Sequence, residues 1–109
     1  MADTFKEKGK GEEQKYNLSQ ELLFKANSRR NKLLGLWLSE QHFGLQGAAA
    51  QEYANELVMI DLDAPGIENV IEKIMLDVEK RACKLSEQLL REKIAELQKV
   101  AENQVKNEE

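Results

Sequence analysis

Few residues in this chain can end a helix, bridge a disulfide or cross a bilayer. One proline and six glycines in 109 residues leave a helix few places to break. Cys83 stands alone, which excludes an internal disulfide framework and fits a reducing cytoplasm. The apolar stretch Leu33–Leu38 is six residues long and is soon followed by Glu40. A membrane-spanning helix needs ~20 predominantly apolar residues, so no spanning helix is expected there. A secretory leader is not expected either, because 28 largely polar residues precede Arg29. Excess positive charge is missing too. Sixteen basic and twenty acidic residues give a net charge of −4, against a dedicated nucleic-acid binder. No segment alternates apolar and polar residues over the length of a strand.

What remains is helical periodicity in a charged chain of mean hydropathy −0.61. Residues 1–17, MADTFKEKGKGEEQKYN, carry four lysines, four acids and only Phe5 and Tyr16 as aromatics. That composition buries too little to offset ordering, so it reads either as a disordered, solvated tail or as a segment that becomes helical against a partner. Residues 18–109 form the expected domain. A first helix over about 19–43 is capped by Ser19, with Leu18 and Leu23 placed as a hydrophobic staple. Leu23, Ala26, Leu33, Leu34 and Trp37 recur along one face, and Gly44 supplies the stop.

Three shorter segments follow. Residues 48–62 hold Tyr53, Leu57, Val58 and Ile60, and the Pro65-Gly66 break ends them. Ile67, Val70, Ile71, Ile74, Met75 and Val78 define a helix over 67–82. Ser86 caps a last helix over 86–105, with Leu85 and Leu90 as a second staple and Leu90, Ile94, Leu97 and Ala101 as its seam. The expected fold is all-α, a single bundle-like domain of four helices behind a mobile N-terminal arm.

Candidate chemistry is sparse. The sequence has no phosphate-binding glycine loop, no nucleophile elbow and no HExxH. His42 is the sole histidine, placed as a surface or capping residue 41 positions from Cys83. Asp61 and Asp63 resemble a piece of a calcium loop without its glycine or closing glutamate. No catalytic residue, metal or cofactor is expected, and the chain reads as a non-enzymatic interaction protein.

The basic face Lys25, Arg29, Lys32 reads as solvated, with Glu21 one turn before Lys25. Arg30 is different, for it falls on the apolar stripe. Its stem either snorkels toward water or lies at the core edge against a carboxylate from another helix. The run Leu33–Leu38 is apolar almost all round apart from Gly35, so the helix should be covered on more than one side, with Gly35 at a close crossing and Trp37 as a core anchor.

The nine residues Arg29, Arg30, Asn31, Lys32, Leu33, Leu34, Gly35, Leu36 and Trp37, within FKANSRRNKLLGLW, resemble the signature of the zeta-subunit family of alphaproteobacterial ATP synthases. The likeness runs on through Gly44-Leu45, Gly47, Tyr53-Ala54, Pro65-Gly66 and Ser86–Ile94, covering roughly residues 19–105 without an obvious gap. It implies a four-helix domain whose N-terminal arm enters an α/β catalytic interface of the F1 sector, becomes helical and blocks the γ stalk, chiefly during ATP hydrolysis. By the same resemblance the chain would be cytoplasmic, peripheral to the inner membrane through F1, and monomeric when free.

The resemblance assigns the inhibitory role to Phe5, Lys6, Glu7, Lys8, Lys10, Glu13, Lys15 and Tyr16 of the arm. Glu12 stands where strongly inhibitory members have a second aromatic, and Gly9 and Gly11 replace better helix formers. Two such glycines penalise a bound helix by ~2 kcal/mol, about 30-fold in affinity, so weak inhibition is expected. The alternatives are a helical adaptor for another cytoplasmic partner and a nucleic-acid or nucleotide binder making weak phosphate contacts through Lys25, Arg29, Arg30 and Lys32.

Overall fold

The computed structural model describes residues 18–108; residues 1–17 and Glu109 lie outside it. Among the described residues the fold is all-helical: α1 (Gln20–Leu38), α2 (Gly47–Asp63), α3 (Ile67–Lys80) and α4 (Glu87–Asn107), with a π-helical turn, Ser39–Phe43, extending α1. The Ser19 and Ser86 side chains accept from the Leu22 and Leu89 amides, each 3.1 Å away, and so cap α1 and α4.

The first helix is the hub, packing on both α2 and α4, while α3 lies against α2 and α4. Pairs across α1 and α4 run in opposite chain directions, Arg29 with Glu108, Arg30 with Gln98, and Lys93 over Trp37. Helices α1 and α2 are antiparallel as well, for Arg30 faces Asp61 and Gly35 faces Ala54. Leu34, Leu38, Leu57, Ile74 and Leu90 are fully buried in the main core. Each contributes about 1.5–3 kcal/mol relative to exposure.

Several local expectations need correction. Leu23 is 37% exposed, so it does not belong to the buried stripe. The inward face of α1 is instead Ala26, Arg30, Asn31, Leu34, Gly35 and Leu38. Trp37 is only half-buried, at the rim rather than the centre, with Lys93 Nζ 5.1 Å above its ring and His42 edge-on at 4.8 Å. Periodicity alone could not place these, because the packing face depends on where α2 and α4 lie.

The first helix also ends differently from a simple stop. Gly44 adopts φ +67°, and the Leu45 amide donates to the Ser39 carbonyl at 2.8 Å, closing a wide turn. The Ser39 hydroxyl, fully buried, donates to the Gly35 carbonyl at 2.8 Å. The turn brings Phe43 into the core, edge-on to Tyr53 at 5.2 Å. Tyr53 in turn donates to Asp77 at 2.8 Å, and burial together with that carboxylate pushes its phenol well above the usual range.

Candidate functional site

Of the residues singled out in the sequence, Phe5, Lys6, Glu7, Lys8, Lys10, Glu13, Lys15 and Tyr16 lie outside the described residues. The signature Arg29–Trp37 lies wholly on α1. It is tied to α2 and α4 by three features.

At its outer end α1 is held by the last turns of α4. Ala26, Ala101 and Val105 form a small buried cluster with Leu22 against it. Glu108 then clasps α1, receiving both Arg29 terminal nitrogens, Nη2 to Oε1 at 2.9 Å, while Lys25 Nζ lies 3.5 Å from the same oxygen. Arg29 also donates to Gln104 at 3.0 Å. Lys25 and Arg29 therefore make interhelical contacts that the solvated-face reading did not provide.

The clasp is pH-sensitive. The hydrogen bond from Arg29 holds the Glu108 carboxyl below its usual range. With the folded value depressed, its contribution is complete above the unfolded value of ~4.3 and is lost as pH falls through the folded value. Amide protection factors over residues 104–107, with the intrinsic pH dependence of exchange divided out, are expected to fall on acidification below the ordinary glutamate range. Glu108→Gln should show fast exchange there already at neutral pH, and an unchanged rate in that variant would contradict the assignment.

Deeper along α1 lies a polar knot. Arg30 is 8% exposed and Asn31 fully buried. Arg30 Nε and Nη2 donate to Asn31 Oδ1 at 3.0 and 2.9 Å, and Nη1 donates to Gln98 at 2.8 Å. Asp61 from α2 lies 3.6 Å from Arg30, accepts from Asn31 at 3.0 Å, and accepts the Gly66 amide at 3.0 Å. Burial lowers the affinity of Arg30 for its proton while Asp61 opposes that; an arginine stays charged regardless. Of the two readings of Arg30, the carboxylate partner is the one found. Asp61 is thus an ion-pair and turn-fixing residue rather than a calcium ligand.

The third feature is the crossing at Gly35. A Cβ there would stand 2.5 Å from Ala54 Cα and 3.0 Å from Ala54 Cβ, so only glycine allows this α1–α2 approach.

His42 and Cys83 are neighbours, but through the backbone: the thiol donates to the His42 carbonyl at 3.1 Å. Among the described residues no cluster of three His, Cys, Asp or Glu could hold a metal ion, and no helix is long and apolar enough to cross a membrane. Sequence reasoning missed Gln98, Gln104 and Glu108 as partners of the signature. No periodic signal marks them, since each is one polar residue among many on α4.

An antiparallel helical domain with a buried Arg-Asn signature invites comparison with known families. The sequence pattern of the family described as ATPase inhibitor subunit zeta matches residues 1–104. The chain belongs to that family. No individual curated protein matches it. The match runs from the first residue through most of α4, so the zeta family's pattern includes the N-terminal segment as well as the helical domain. Membership of an inhibitor-subunit family fits a regulatory role for this zeta-family chain and agrees with the reading of a non-enzymatic protein.

Proposed function

We propose that this chain is a regulatory, non-catalytic subunit of the F1Fo-ATP synthase. Residues 1–17 enter an α/β interface of F1 and impede the γ stalk during ATP hydrolysis, with the helical domain as their mount. The observation that carries this reading is the match to an ATPase inhibitor family over residues 1–104, which takes in the whole N-terminal segment. The mount supports it: α1, where that segment ends, is tied to α2 and α4 by ion pairs and a close crossing. Resistance to a turning rotor requires a rigid support of that kind.

Binding coupled to helix formation suits such a segment, at an ordering cost of ~2–5 kcal/mol. Gly9 and Gly11 raise that cost, so this member inhibits weakly. The test titrates the purified chain into F1 from its own organism while ATP hydrolysis is followed. Wild type should inhibit weakly, and Gly9→Ala/Gly11→Ala should shift the midpoint about 30-fold lower. Strong inhibition by wild type at stoichiometric amounts refutes the weak-inhibitor reading. A pull-down that recovers other partners and no F1 subunit would favour the adaptor reading.

A further inference from the structure

A cleft opens beside the polar knot, between α1 and the α2–α3 turn. Asn27, Ser28, Arg30 and Asp61 line it, with Phe24, Leu62, Pro65 and Ile67 as its apolar lips. Phe24 is 61% exposed and Leu62 42% exposed, a large apolar area left in water at the end of the domain where α1 begins. The cavity measures about 180 Å³, below the ~300–1,000 Å³ usual for small-molecule sites and suited to a single side chain. Its charged groups already have partners. Arg30 is matched by Asp61, Asn31 and Gln98, and Asp61 also accepts the Gly66 amide. The unmet demand is therefore apolar rather than ionic.

We infer that this cleft is a docking site for the chain's own residues 1–17, with the Phe5 ring seated between Phe24 and Leu62. The inference rests on the reading of that segment as the inhibitory arm, and deepens it. Residues 1–17 lie outside the described structure and join it at Leu18, one residue before the α1 cap. The cleft's α1 wall, Phe24 to Arg30, begins five residues past Ser19 and ends eleven past it, roughly 8–16 Å along the helix at ~1.5 Å per residue. Phe5 is fourteen residues before Ser19, a flexible tether of up to ~50 Å when extended, long enough for the chain to turn back and bring the ring to the cleft. A short flexible tether sets an effective concentration on the order of millimolar, which favours the chain's own ring over a second copy's at micromolar dilution. Docked, Phe5 is withheld from F1, and the arm must leave the cleft before it inhibits.

Paramagnetic broadening in the full-length protein tests this without F1. A nitroxide on Glu12→Cys, in a Cys83→Ser background, should broaden the amides of residues 24–28 and 61–67 more than those of α3. Phe5→Ala, or Leu62→Ser on the exposed lip, should restore their intensity. Absent broadening, or broadening that survives Phe5→Ala, overturns the inference. So does broadening that arises only between labelled and isotope-enriched molecules mixed together, because the occupant is then a second copy. In the hydrolysis assay Leu62→Ser should inhibit at lower concentration than wild type, and an unchanged midpoint overturns the withholding step. Should no variant inhibit F1 while the Phe5-dependent broadening persists, the docking stands and the inhibitory reading fails.

Discussion

Gly35→Ala is expected to lower the stability of the domain by roughly 3 kcal/mol, the upper part of the usual overpacking range. In most exposed helical positions the same change would gain ~1 kcal/mol, because alanine is the better helix former. Here the added methyl would approach Ala54 Cα to 2.5 Å. That atom is backbone in the middle of α2, so no rotamer change can relieve the contact and the two helices must separate. Separation opens gaps around Leu34, Leu38 and Leu57, which are fully buried beside the crossing. At about 4–8 °C per kcal/mol for a domain of this size, thermal unfolding should fall by roughly 12–24 °C. Ala54→Gly should recover little of the loss, since the nearest atom is the Cα that glycine retains. A Gly35→Ala variant melting within a few degrees of wild type would show that the crossing is soft.

That crossing was readable from the sequence, and the reason is instructive. A glycine inside an apolar helical run costs helix stability, so some close approach had to compensate it. The four helices were readable for a related reason: 3.6-residue periodicity in a chain poor in helix breakers permits little else. Partners were harder. Arg30 stood out on its stripe, yet nothing local singles out Asp61 and Gln98, because their proximity depends on the register of three antiparallel helices. Glu108 near the chain end reads as solvated until α4 is seen to run back beside the start of α1. The π-helical turn at Ser39–Phe43 was hidden as well, since its sequence has no proline or glycine until Gly44. As for the arm, composition alone leaves a solvated tail and a segment that orders against a partner both open, and only the family resemblance attaches an inhibitory role to particular residues in it.

The Arg30–Asp61 pair gives the other large effect, and it separates a structural charge from a solvated one. Asp61→Ala should cost about 3–5 kcal/mol, the range for a buried ion pair broken on one side. Arg30 would keep its charge at 8% exposure with no carboxylate beside it, Asn31 would lose an acceptor, and the Gly66 amide would lose the group that fixes the α2–α3 turn. Arg30→Met/Asp61→Asn should be much less damaging. Methionine fills the space of the arginine stem without a charge, and the carboxamide oxygen that replaces the carboxylate can still accept from the Gly66 amide. The double variant is therefore expected to exceed Asp61→Ala in stability by at least ~2 kcal/mol, a coupling of the size seen for residues in direct contact. Urea denaturation of wild type, the Asp61→Ala variant and the double variant measures it. A loss below ~1 kcal/mol for Asp61→Ala would mean that the Arg30 head group reaches water, as an exposed pair would. The large loss, relieved when the charge is removed with its partner, requires that the family signature place a buried cation where only α2 can neutralise it.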